Sequence, residues 1–165
     1  MKTLYLMRHA KSSWSFDDLS DRERPLNDRG RDDAPRMGQA LAKRDLKLDL
    51  IVSSPAVRAL STAVLVAREL GYEHDKIKVE PGIYEADLDT LLAVVHELPD
   101  EANSVLLTGH NPTITDVANY LSPSPLSSEM PTAGVICLHF EAGRWADVQQ
   151  ANAEFYFFDC PKNEQ

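Results

Sequence analysis

Thr3-Leu4-Tyr5-Leu6-Met7-Arg8-His9 decides the architecture of this chain. From Thr3 to Met7 the residues are apolar at nearly every position rather than at alternate ones, the pattern of a strand covered on both faces in a largely parallel sheet. The run stops at a charged pair. An unpaired ion in a dry core costs several kcal/mol, so a buried strand ending in Arg8 implies a partner for the guanidinium, and an anion fits.

Two more stretches, Leu50 to Ser53 and Val105 to Thr108, repeat the pattern. Each of the three is followed by apolar residues at helical spacing, i, i+3, i+4 and i+7 in the first and third and i, i+3, i+7 and i+10 in the second, the mark of a helix with one buried face. These are Ala34, Met37, Gly38 and Leu41; Val57, Leu60, Val64 and Ala67; and Ile114, Val117, Ala118 and Leu121. A further helix is carried by Leu88, Leu91, Leu92 and Val95, and Pro99 closes it. Strands alternating with helices predict an α/β fold, a three-layer α/β/α sandwich around a largely parallel sheet. Val135 to Phe140 and Trp145 to Gln149, flanking Glu141-Ala142-Gly143-Arg144, predict an antiparallel pair at the sheet edge. Pro35 removes a backbone donor within the first helical stretch and predicts a break or kink there, after a piece capped by Asn27. Ser122 to Pro131, rich in Ser and Pro, reads as a loop.

With 165 residues, the chain fits one domain spanning 1–165, able to bury roughly two-thirds of its unfolded surface. The formal net charge of -9 argues against nucleic-acid binding, which draws on a basic face, yet is compatible with one phosphate in a local pocket. Cys137 and Cys160 are too few for a disulfide framework and lack metal-ligand spacing, so free thiols in a reducing compartment are expected. The apolar stretch before Arg8 is too brief for a secretion signal or a membrane span. A cytoplasmic protein without a membrane partner is the expectation.

Parallel strands share a polarity, so the segments after their carboxyl ends collect on one rim, where open α/β sheets bind ligands. Three segments qualify: Arg8-His9-Ala10-Lys11, Ser53-Ser54-Pro55 with Arg58, and Gly109-His110-Asn111-Pro112. Ser54 and Asn111 read as N-caps followed by Pro at the first helical position, which starts two helices at the rim with their positive ends towards an anion. Arg8 and Arg58 offer planar forks of donors to phosphate oxygens. A neutral imidazole attacks phosphorus when one ring nitrogen is free and the other donates to a carbonyl. His9 is placed for that role, and the charge of Arg8 beside it disfavours the imidazolium. His110 is then a donor or a cation for the equatorial oxygens. Phosphoryl transfer needs mostly positioning and charge compensation, which two Arg and two His supply without metal or cofactor. Neither a His-Glu-x-x-His pattern nor a Gly-rich phosphate loop is present.

Leu6-Met7-Arg8-His9-Ala10, Ser53-Ser54-Pro55-Ala56-Val57-Arg58-Ala59 with Thr62-Ala63, and Gly109-His110-Asn111-Pro112 resemble the three signature segments of the histidine phosphatase superfamily. Arg24-Pro25-Leu26-Asn27-Asp28-Arg29-Gly30 is similar to that family's loop into the first helix, where Asn27 can touch the phosphate; Ser12 is assigned with it to substrate binding. The compact size resembles the small SixA-type phosphohistidine phosphatases rather than the larger phosphoglycerate mutases with inserted cap elements. The resemblance implies a phosphoglycerate mutase-like fold, a phosphorylated His9 released by water, and Arg8, Arg58 and His110 as the rest of the pocket.

Ala10 departs from the family's usual Gly; a positive φ there would cost Ala on the order of 1 kcal/mol. The general acid that larger members carry corresponds to Glu85 in Gly82-Ile83-Tyr84-Glu85-Ala86. An imidazole leaving group needs little help from an acid, whereas an alkoxide must be protonated as it departs. The expected function is therefore a metal-independent phosphatase acting on phosphohistidine in a partner protein. Two alternatives stand: hydrolysis of a small phosphomonoester with Glu85 as proton donor, and a non-catalytic phosphate-binding module, which would need the Arg pair but not His9. His74, His96 and His139 read as structural, Lys11, Arg22 and Arg24 as solvated, and Trp14 and Trp145 as packing groups.

Overall fold

The computed structural model describes residues 1–161. Its centre is a six-stranded sheet in the order β3-β2-β4-β1-β5-β6. The strands are β1 (Lys2–Arg8), β2 (Leu50–Ser53), β3 (Lys78–Val79), β4 (Ser104–Gly109), β5 (Val135–Phe140) and β6 (Ala153–Asp159). The first four run parallel, and β5 and β6 complete an antiparallel edge. Helices α1 (Asp28–Lys43) and α2 (Val57–Leu70) cover one face, and α3 (Leu88–His96) and α4 (Thr113–Leu121) the other.

The unbroken apolar run of β1 explains its place beside β4 and β5. Leu4 and Leu6 enter the core shared with Leu91, Val95, Ile114 and Val117, while Tyr5 and Met7 point to Met37, Leu41, Ile51 and Val66. A strand sandwiched by two helical layers has no polar face. The fold is α/β, a three-layer sandwich as its sequence implies.

Three local expectations are corrected. The partner of β5 is Ala153–Asp159, whereas Trp145–Asp147 forms a short 3-10 turn. Trp145 and Val148, three residues apart, fall on one side of that turn and both are buried in the core, with the indole Nε1 donating to Ala102 O at 2.7 Å. At Pro35 no break occurs, and α1 runs continuously through it from a cap in which Asn27 Oδ1 accepts from Gly30 N at 2.9 Å. The helices at the rim also begin later than their Ser-Pro and Asn-Pro pairs predict, at Val57 and Thr113; Ser54 Oγ still accepts from Ala56 N at 3.1 Å, just ahead of α2, while the Asn111 side chain is engaged elsewhere. Ser122 to Pro131 is indeed free of helix and strand.

The start of α1 is locked onto the loop after β1. Asn27 N donates to Lys11 O at 3.0 Å and Ser13 N to Pro25 O at 2.8 Å, and Ser12 bridges Leu26. A Cβ at Gly30 would collide with the Lys11 carbonyl oxygen, so only glycine allows this approach. Among the described residues no helix is long and apolar enough to cross a membrane, and Cys137 and Cys160 are free and buried.

Candidate active site

Register brings the rim together. Arg8 pairs with Gly109 across β1 and β4, and Ser53 with Thr108 across β2 and β4, so the segments that follow emerge side by side. They open into a cleft of about 670 Å³ lined by Arg8, His9, Arg58 and His110 together with Ser12, Asn27 and Arg24. The four residues expected to meet do so, and Ser12 and Asn27 face the same space.

His9 is almost entirely buried, and its Nδ1 lies 2.7 Å from Ala10 O. A carbonyl only accepts, so the proton sits on Nδ1 and the lone pair on Nε2 is free. Burial pushes the His9 pKa down to about 3; the Ala10 hydrogen bond opposes this and the charges of His110, Arg58 and Arg8 reinforce it. Desolvation, more than the neighbouring Arg8, thus keeps the ring neutral. The Ala10 backbone is held in turn by Thr62, whose Oγ1 accepts from Ala10 N at 2.9 Å and donates to Arg58 O at 2.7 Å. Positive φ among non-glycine described residues is confined to Asp45, Glu85 and Ala133, so Ala10 avoids the strain that a left-handed site would impose.

His110 stands with its ring centroid 5.4 Å from that of His9, and its Nε2 lies 2.7 Å from Ser54 Oγ. Burial, then Arg58, lowers its pKa to about 4 against the opposing charge of Asp21. Asn111 holds the far wall, donating to Met130 O at 2.8 Å and accepting from Thr115 Oγ1 at 2.7 Å. Arg8 Nη1 donates to the same Met130 carbonyl at 3.1 Å. These bonds explain why Asn111 does not cap its helix, while Ser54 Oγ meets His110 and accepts from Ala56 N.

Among the described residues, four buried side-chain polar atoms lack a hydrogen-bond partner: Thr108 Oγ1 within the sheet, and Arg8 Nε, Arg58 Nε and His110 Nδ1. Native interiors leave few such atoms, and three of them on the residues of one cleft argue for a ligand with several acceptor oxygens.

Two residues escaped the sequence reading. Asp21 accepts from Arg58 twice, through its backbone O at 2.6 Å and its carboxylate at 2.9 Å, and from Tyr84 OH at 2.7 Å. Burial pushes its pKa up, but the bonds from Tyr84 and Arg58 outweigh this and hold it at about 2. Arg24, expected in solvent, is buried and donates to Ser12 Oγ, Ser13 O and Asp21. The local signal here is the Ser20-x-x-Glu23 capping box, which marks the 3-10 turn Asp21–Glu23 closed by Arg24; that this turn reaches Arg58 and Tyr84 is decided by tertiary packing. Glu85 is exposed, has positive φ, and lines a separate cavity of about 150 Å³ beside His110. It is not brought into the main cleft.

Both histidines titrate well below the ordinary value of about 6.5. Below that pH the unfolded chain takes up protons that the folded one refuses, so stability falls as pH drops from about 6.5 towards 4 and 3, and is independent of these groups above it. Asp21, with a lowered pKa, contributes stability above about 3.8 that is lost only towards pH 2 and is silent in the higher window. Urea unfolding at pH 7 and pH 5 should show a loss of at most about 2 kcal/mol per histidine, reduced in His9→Asn; an equal loss in that variant would refute the assignment.

The fold and cleft define a class: an α/β domain with a basic cleft at its strand ends, lined by two arginines and a neutral, buried histidine. The chain belongs to the histidine phosphatase superfamily, matching the model of its branch 1 over residues 4–93. It is 30% identical to an uncharacterized protein of Mycobacterium leprae, over 94% of this chain and all of that one. The structure superposes on a candidate phosphohistidine phosphatase SixA from Agrobacterium tumefaciens with a TM-score of 0.81 and 28% identity, covering 97% of this chain and 99% of the other. A second candidate SixA, from Nakamurella, gives 0.78 and 28%, with 97% and 96% covered.

Proposed function

We propose that this chain is a metal-independent phosphohistidine phosphatase, acting on a histidine phosphorylated in a partner protein. One observation supports this substrate above all: among the described residues, no carboxylate lines the main cleft. Glu85 stands in the neighbouring cavity, and Asp21 is held as an anion by Arg58 and Tyr84. An alkoxide leaving group would need an acid there, whereas imidazole departs readily.

In the proposed reaction the Nε2 lone pair of His9 attacks phosphorus. The P–N bond to the substrate ring breaks, its electron pair stays on that nitrogen, and solvent protonates it. Arg8, Arg58 and His110 hold the equatorial oxygens while charge shifts between the apical atoms. Water then attacks phospho-His9, the P–Nε2 bond returns its pair to the ring, the water's proton passes to solvent and phosphate leaves.

Turnover of a phosphohistidine-bearing protein is expected to exceed that of a panel of sugar and nucleoside phosphates, with rates unchanged by a chelator. Efficient turnover of the small esters alone would reject this substrate and favour Glu85 as a proton donor to alkoxides.

A further inference from the structure

Trp14 is 77% exposed, unlike the fully buried Trp145, and it lines the same cleft as His9, Arg8 and Arg58. The expectation that both tryptophans are packing groups therefore fails for Trp14. Leaving so large an apolar side chain in solvent forfeits its burial, yet the loop that carries it is held firmly. The Arg24 guanidinium lies 3.6 Å from the centroid of the indole and covers one of its faces. Arg24 is itself fixed from below by Ser12 Oγ at 2.8 Å, Ser13 O at 3.1 Å and Asp21 Oδ1 at 3.2 Å. On either side of the indole, Ser13 N is tied to Pro25 O, and Ser15 N donates to Ser13 Oγ at 3.1 Å. The open face is thus a preordered shelf, which lowers the entropy lost when something lands on it.

What lands there is not the phosphate. Its oxygens have Arg8, Arg58 and His110, and the negative face of an aromatic ring repels an anion. The shelf is left to the group attached to phosphorus.

We infer that Trp14, braced by Arg24, is a specificity residue that stacks against a flat, aromatic leaving group, the imidazole of phosphohistidine. The inference rests on the phosphohistidine reading of the site and adds the surface that selects the leaving group.

Two small substrates separate the ring from the bond that breaks. Phosphoimidazole and phosphoramidate both carry a P–N bond, but only the first has a ring to stack. Wild-type protein should favour phosphoimidazole. In Trp14→Ala, kcat/KM for phosphoimidazole should fall about tenfold, equivalent to ~1.4 kcal/mol, while phosphoramidate stays within about twofold of wild type, and Trp14→Phe should recover most of the loss. A misfolded loop would depress both substrates together, so equal losses, or no loss on either, would overturn the stacking role while leaving the phosphatase reading intact. Wild-type protein that hydrolyses phosphate esters but neither P–N compound would overturn the phosphohistidine reading, and the stacking role with it.

Discussion

Replacing His9 with alanine is expected to lower kcat by on the order of 10^4-fold or more and to abolish the acid-labile, alkali-stable phosphoenzyme expected of the wild-type protein during turnover. The size of the effect follows from the geometry. His9 is the group whose free nitrogen, Nε2, is released by the Nδ1 bond to Ala10 O and kept unprotonated by burial. Inorganic phosphate should still bind His9→Ala within a few-fold of wild type, since Arg8, Arg58 and His110 remain. This pairing of lost chemistry with retained binding separates a nucleophile from a residue that merely shapes the pocket. Wild-type turnover in His9→Ala would refute the nucleophile assignment.

Arg58→Ala should reduce kcat/KM by about 10²–10³-fold, the loss typical of one preorganised donor to a developing charge. Two of its nitrogens are anchored by Asp21, leaving the buried Nε without a protein partner. The anchoring fixes which edge of the guanidinium the phosphate meets. Lysine keeps the charge but loses the planar fork, so Arg58→Lys should rescue little of the activity. Full activity in Arg58→Lys would show that charge alone suffices and that the Asp21 contact is incidental. Steady-state kinetics on the phosphohistidine protein, run beside thermal unfolding of each variant, distinguishes these outcomes from a loss of folded protein.

Much of this site is legible in the order of residues because the relevant signals are local. A continuous apolar run ending in Arg8-His9 marks a doubly covered strand, and the parallel polarity of β1, β2 and β4 places whatever follows each of them on one rim. The Asn27 cap and the buried faces of α1, α3 and α4 are likewise written in short-range periodicity, whereas α2 buries Ala59, Ala63, Val66 and Ala67 and leaves Val57 exposed and Leu60 and Val64 half-buried, against the expected face. The failures share a cause. Ser54 and Asn111 have the composition of helix caps, yet His110, Thr115 and Met130 compete for their side chains across gaps of 4 to 56 residues.

By itself, the sequence determined the layered α/β class and the meeting of Arg8, His9, Arg58 and His110, because both follow from pattern and strand direction. Only the tertiary structure decided that Ala153–Asp159 completes the sheet, that Asp21 grips Arg58, that Glu85 stays outside the cleft and that Trp14 stands open over Arg24. Those outcomes depend on how irregular segments pack against distant partners, a competition among contacts that no local periodicity records.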